Sequence, residues 1–283
     1  MPVDRVLGRW PRSALTPQEP ETDALPEQAA AVWRGIVRTA VLVIVLQSVL
    51  HLIDAAAFDL RIERLDADRD LSVWSWAGSA AELMAGSGAA LLLVLTPRRW
   101  KTFGFLTLVF VFFSMDDTVQ VHERLSHVLD RFPDWSWIPR RVVWPVLYAP
   151  LMLVTCALLW RVSGAMNGLC RRSARGGLVL LGIAVVLEFA VSTAIIKAGY
   201  GRTDDDTRVG GMLYEYEVVV EEALELGGWL LIAAGLIATA LDVLVWQVRT
   251  GAGSLARTAG TSPGRSVGDG PRTGAPPAAG TIP

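Results

Sequence analysis

Residues 226–247 read LGGWLLIAAGLIATALDVLVWQ and contain a single charged side chain, Asp242. As an α-helix, a segment of this length extends about 33 Å at about 1.5 Å per residue. That is enough to cross the roughly 30 Å hydrocarbon core of a bilayer. The segment therefore predicts a transmembrane helix and an integral membrane protein.

The same pattern of long apolar runs recurs along the chain. Hydrophobic residues make up 52% of the sequence and charged residues 19%, whereas soluble proteins carry about a quarter charged residues. We predict an all-α fold, a polytopic transmembrane bundle of about six helices. The predicted helices cover residues 35–58, 73–96, 102–123, 142–160, 177–197 and 215–247.

The two ends of the chain differ in composition from this central domain. Residues 1–32 are polar and proline-rich, and residues 249–283 consist mainly of Gly, Pro, Ala, Thr and Ser. Such segments cannot bury enough apolar area to offset the loss of chain entropy on folding. We therefore expect disordered tails over 1–32 and 249–283, with the six-helix domain occupying 33–248.

The distribution of basic residues predicts the orientation. Residues 97–101 hold three basic side chains, and residues 161–176 hold four arginines and no acid. The alternate loops, 59–72 and 198–213, are rich in Asp and Glu. Because basic loops stay in the cytoplasm, we expect a multi-pass cell-membrane protein with both termini cytoplasmic.

Charge and cysteine content narrow the class of protein. The formal net charge of −2 comes without a basic stripe, which argues against nucleic-acid binding. Cys156 and Cys170 both fall away from the predicted outer side, so no structural disulfide is expected. Arginine outnumbers lysine 24 to 2, as is typical of a GC-rich bacterial genome.

Ionisable side chains interrupt the predicted helices where lipid is expected. Glu82 and Glu188 have apolar neighbours on both sides, and residues 114–123 read SMDDTVQVHE after an apolar run. On a continuous helix 3, Asp116, Glu123 and His127 would share one face. An intramembrane charge costs at least about 2.5–3.5 kcal/mol, so such residues are candidates for function.

These side chains lead to the hypothesis of a metal centre in the outer half of the bundle. Inward-facing carboxylates and imidazoles are the ligands of dinuclear iron or manganese sites, and the same groups bind zinc. We assign catalytic roles to Glu82, Asp117 and Glu188 and a divalent metal, zinc or iron, as cofactor. The predicted metal ligands are His51, Asp116, His122, Glu123, Glu222 and Glu225.

Three functions fit this inventory. The first is a metal-dependent membrane enzyme that acts on a membrane lipid or a lipid-linked substrate, with a metal-bound water as nucleophile. The second is a proton- or cation-coupled transporter, and the third is a non-catalytic partner of another membrane protein. The sequence contains no repeat between its halves, and because many transporters are built from internal repeats, this weakens the transporter hypothesis.

Structural explanations compete with each functional residue. The stretch 226–247 spans a membrane alone, which would leave residues 215–225 as a solvated helical extension. The segment 116–127 would similarly be a helix end among the lipid headgroups. His51 and Asp54, one helical turn apart, would form an internal hydrogen-bonded pair, the common fate of buried polar groups.

Overall fold

The computed structural model describes residues 25–69, 71–121, 124, 140–199 and 212–260. All regular secondary structure in these ranges is helical. The helices, in chain order, are α1 (Glu27–Ala57), α2 (Val73–Leu95), α3 (Trp100–Val119), α4 (Arg140–Ser163), α5 (Gly168–Val186), α6 (Thr193–Lys197) and α7 (Leu213–Gly260). A short 3₁₀ turn, Pro97–Arg99, precedes α3, and a π-helical segment, Leu187–Ser192, joins α5 to α6.

In the described part of the chain, six helical segments are long and apolar enough to cross a membrane, which agrees with the predicted number. They are Glu27–Ala57, Val73–Leu95, Pro97–Val119, Val146–Ser163, Gly168–Val191 and Leu213–Arg249. Many of their leucines, valines and isoleucines are exposed, as expected for side chains that face lipid. The chain is a multi-pass membrane protein.

Helix α3 ends earlier than the sequence predicted. Gln120 adopts the left-handed conformation, with φ 58° and ψ 46°, and its N–H bonds to the Asp116 carbonyl. A left-handed residue redirects the chain at a helix C-terminus. The predicted continuation of this helix to residue 123 is therefore wrong. The helical face predicted to join Asp116 to Glu123 and His127 is interrupted at Gln120, and Glu123 and His127 lie outside the described residues.

The turn between α4 and α5 is shorter than the predicted loop over residues 161–176. The Asn167 side chain accepts a hydrogen bond from the Leu169 N–H at 3.0 Å and caps α5. Arg171, Arg172 and Arg175 consequently lie on the helix. Hydropathy marks where the apolar run begins, at residue 177, but the helix begins about two and a half turns earlier, at Gly168, because Asn167 caps it there.

Small residues allow α7 to pack closely against its neighbours. A methyl group placed on Gly177 of α5 would lie 2.5 Å from the carbonyl oxygen of Gly228 and 2.8 Å from Ile232 Cγ1. Gly88 of α2 similarly faces Leu236, where an added Cβ would lie 2.8 Å from the leucine Cβ. Close backbone approach at small residues is the usual basis of helix association in membranes. Helix α7 is thereby fixed beside α2 and α5.

Residues 1–246 and 247–283 form two separate compact units. In the first, helix begins at Glu27, so residues 27–32 of the predicted N-terminal tail are helical. In the second, the described residues are helical as far as Gly260, where a disordered tail was expected from residue 249. The remaining parts of both predicted tails lie outside the described residues.

Candidate functional site

The core of the candidate site is a carboxyl pair between α2 and α3. Glu82 is buried, with 2% of its surface exposed, and its carboxyl group lies close to that of Asp117. The Asp117 Oδ2 atom would lie 3.4 Å from a Cβ placed on Gly78, one turn before Glu82 on α2. The absence of a side chain at Gly78 therefore leaves room for the Asp117 carboxyl group to reach α2.

Helix α7 brings further acids to this pair. Glu225 and Asp116 lie within electrostatic range of Glu82. Glu222 interacts with Glu225 and Asp117. We call the group of acids contributed by α2, α3, α7 and the π-helical segment the acidic cluster; its members are Glu82, Asp116, Asp117, Glu188, Glu221, Glu222 and Glu225.

Glu188 joins the acidic cluster from an irregular part of the fold. It lies in the π-helical segment Leu187–Ser192, between α5 and α6. It lies within electrostatic range of Glu221 on α7. π-Helical turns inside α-helices are frequent at functional sites, because the extra residue redirects side chains that a regular helix would point elsewhere. The sequence had selected Glu188 on its apolar surroundings alone.

Tyr148 contacts the acidic cluster at Asp116. The Tyr148 hydroxyl group, from α4, donates a hydrogen bond to Asp116 Oδ1 at 3.3 Å. Its ring stacks against Phe113 at a centroid distance of 6.5 Å, and Phe113 also contacts Trp229. Asp116 is 5% exposed, so this aromatic layer shields its carboxyl group.

His51 is fully buried and contacts both α7 and the loop between α1 and α2. Its Nε2 lies 3.3 Å from Glu215 Oε2. Its Nδ1 accepts a hydrogen bond from the Ala67 N–H at 3.0 Å and lies 3.9 Å from Asp66 Oδ1. Both ring nitrogens thus have protein neighbours, an arrangement that favours a structural role over the predicted role as a metal ligand.

Asp54 also organises this loop. Both of its carboxylate oxygens accept from the Ile62 N–H, at 3.4 and 3.3 Å. Its carbonyl oxygen accepts from the amides of Phe58 and Leu60 as α1 ends. The expected pairing of His51 with Asp54 is therefore replaced by two separate sets of contacts, each holding a different part of the loop.

The predicted metal ligands are only partly placed by the structure. In residues 25–69, 71–121, 124, 140–199 and 212–260, no three His, Cys, Asp or Glu side chains form a group that could hold a metal ion. Among the predicted ligands, Asp116, Glu222 and Glu225 meet in the acidic cluster, whereas His51 lies beside Glu215. His122 and Glu123 lie outside the described residues, so the metal centre stays a prediction.

Two residues near the cluster were missed by the sequence interpretation. Asp68, in the loop between α1 and α2, accepts a hydrogen bond from the Tyr214 hydroxyl group at 3.2 Å and lies within electrostatic range of Glu221 and Glu222. Tyr148 was the other omission. No signal distinguishes Asp68 from the other acids of its loop, and a tyrosine in an apolar helix resembles a membrane-interface residue.

Comparison with known proteins supplies a family but no activity. Residues 35–239 match a family model described as a domain of unknown function (DUF8692). The matched region extends from α1 into α7 and includes the whole acidic cluster. No curated protein and no solved structure matches the chain. The arrangement of side chains is therefore the basis for a functional assignment.

Proposed function

The chain belongs to the DUF8692 family, and on that premise we propose that it is a proton-coupled membrane transporter in which the acidic cluster binds and relays protons. The observation that carries this proposal is the close approach of the buried Glu82 carboxyl group to that of Asp117, and in the proposal the two groups share a proton. A carboxylate has no donor, so two carboxyl groups form a hydrogen bond only when one of them holds a proton.

The surroundings of the pair support a bound proton. Glu82, Glu221 and Glu222 each have several other acids within electrostatic range. Negative charges that lie close together in a low-dielectric interior repel one another strongly. Protonation of some members relieves this repulsion without requiring a cation of fixed coordination geometry.

The order of the acids supports a relay. Asp68 is exposed in the loop between α1 and α2 and interacts with Glu221 and Glu222. Glu222 in turn interacts with Glu225, which interacts with the buried Glu82. Chains of acids inside a helical bundle are typical of proton pathways. In this proposal both termini are cytoplasmic, and Asp68 faces the opposite side of the membrane.

A metal-dependent enzyme acting on a membrane lipid is the second candidate function. It is favoured by one observation: Glu82 Oε2 is buried and has no hydrogen-bond partner among the described residues. A divalent ion would satisfy this oxygen and neutralise neighbouring acids. In that case Glu82 would contribute one oxygen ligand, and because no three described side chains form a metal-binding group, further ligands would come from predicted residues outside the described ranges, such as His122 and Glu123.

Proton movement in reconstituted vesicles tests the transport proposal. Purified protein is placed in liposomes that enclose a pH-sensitive dye, and an imposed pH gradient is followed with and without candidate solutes. We expect dissipation of the gradient by the wild-type protein and a large loss of it in Glu82→Gln. Glu63→Gln, which alters an exposed loop acid, is the matched control. Equal rates in wild-type, Glu82→Gln and protein-free vesicles would refute the proposal.

A further inference from the structure

The side chain of His51 binds a backbone amide of the loop between α1 and α2. The Ala67 N–H donates a hydrogen bond to His51 Nδ1 at 3.0 Å, and the two residues are sixteen positions apart in the sequence. A backbone N–H can only donate, so Nδ1 is the unprotonated nitrogen in this arrangement. Nδ1 also lies 3.3 Å from the Leu65 carbonyl oxygen. The amide contact is shorter, and it excludes donation from the same nitrogen to Leu65.

The other nitrogen of His51 lies beside α7. With Nδ1 accepting, the ring proton is on Nε2, which lies 3.3 Å from Glu215 Oε2. Glu215 is 1% exposed, so the two side chains meet away from water. Nε2 makes no hydrogen bond to the described residues, so the bond between Nδ1 and the Ala67 N–H is the contact that places the loop.

The loop segment that His51 binds includes Asp68, which lies near the acidic cluster. Asp68 follows Ala67 directly, and its Oδ1 accepts from the Tyr214 hydroxyl group at 3.2 Å. Tyr214 precedes Glu215 on α7, so two neighbouring residues of α7 contact the loop, one through His51 and one directly. Asp68 is exposed, yet it lies within electrostatic range of Glu221 and Glu222.

We propose that His51 is a positioning residue which, bonded to the Ala67 amide, places Asp68 as the entry acid of the acidic cluster. The inference rests on the proposed proton relay for its functional consequence, and on the His51 contacts alone for the placement of the loop. Asp68 exchanges protons with water and with Glu221 or Glu222, and His51 acts through Asp68.

Hydrogen exchange of the full-length protein in detergent tests the placement. His51→Ala removes the acceptor of the Ala67 amide, so exchange in a peptide covering 65–69 should become roughly five- to tenfold faster. His51→Asn offers an amide oxygen near the position of Nδ1 and should restore most of the protection. Unchanged exchange in His51→Ala would overturn the placement, whatever the transport assay shows.

Proton flux in vesicles tests the role of Asp68. We expect Asp68→Asn and His51→Ala each to lower the rate at least about tenfold, because both remove the entry acid from its position. The double variant should be no slower than Asp68→Asn alone. Additive losses, or a normal rate in Asp68→Asn, would contradict the inference. A wild-type protein that moves no protons would refute the relay itself.

Asp59→Asn is the matched control for both measurements. Asp59 lies in the same loop, is exposed, and has a positive φ of 50°, a conformation that asparagine adopts readily. The substitution therefore removes the same charge without disturbing the backbone. Wild-type exchange and flux in this variant are expected. A loss of flux equal to that of Asp68→Asn would show a general effect of loop charge and overturn the entry role.

Discussion

The carboxyl groups of Glu82 on α2 and Asp117 on α3 lie close together inside the bundle. Helices α2 and α3 are connected by only a short 3₁₀ turn and pack against each other along their lengths. The pair therefore lies between two helices that are consecutive in the sequence and pack directly against each other. Acids from α7 and from the π-helical segment add to it from more distant parts of the sequence.

The close approach of α5 and α7 predicts a strong effect of one added methyl group. Gly177→Ala would place its Cβ 2.5 Å from the Gly228 carbonyl oxygen, so the helices must separate. Overpacking of this kind costs about 1–3 kcal/mol, and we expect a lower Tm in detergent. Gly182→Ala is the control, because its Cβ would meet no atom within 4 Å. Equal melting temperatures for the two variants would contradict the described packing.

Removal of the Tyr148 hydroxyl group should weaken the acidic cluster locally. Tyr148→Phe deletes the donor to Asp116 Oδ1 while it keeps the ring against Phe113. The loss of a buried hydrogen bond costs about 1–3 kcal/mol, measurable as reduced thermal stability. Tyr216→Phe, at a side chain that is 52% exposed, should leave the stability unchanged. An unaltered Tm in Tyr148→Phe would show that the hydrogen bond from Tyr148 to Asp116 does not stabilise the protein.

The orientation of the bundle is tested with reporters. A cytoplasm-active reporter fused after Arg99 or after Arg249 should be active, whereas one inserted between residues 60 and 68 should be silent. The expectation follows from the arginines that flank these positions, since basic segments remain on the cytoplasmic side. An active reporter in the loop of Asp68 would reverse the topology and with it the direction of proton entry.

Metal content separates the two candidate functions. Under the proton proposal, protein purified without added metal should contain far less than one equivalent of zinc, iron or manganese by elemental analysis. A stoichiometric ion that is lost in Glu82→Gln and in His122→Ala would instead support the metal-dependent enzyme. His122 is included because sequence chemistry selected it; exposed Glu63→Gln serves as the control.

The number of spans followed from hydropathy, but several of their ends did not. Gln120 ends α3 through a left-handed conformation that glutamine rarely adopts, so no residue preference announced it. Asn167 starts α5 earlier than the apolar run, although an N-cap asparagine is a recognisable signal. Hydropathy measures the fit to lipid, whereas capping decides where a helix begins and ends.

The acids of the candidate site were found because they are rare in apolar helices. Glu82 and Glu188 stand out in any single helix, and both lie in the acidic cluster. Their neighbours depend on helix packing, which a sequence periodicity does not determine. Asp68 illustrates the limit, since its contact with Tyr214 joins positions 146 residues apart.

Infrared spectroscopy of the carboxyl groups tests the central claim most directly. A protonated carboxyl group has a C=O stretching band that is separate from the bands of carboxylate and shifts when the solvent is changed to D₂O. We expect such a band at neutral pH in the wild-type protein, its loss or shift in both Glu82→Gln and Asp117→Asn, and its persistence in Glu63→Gln. A spectrum that shows only ionised carboxylates at neutral pH would contradict a shared proton between Glu82 and Asp117.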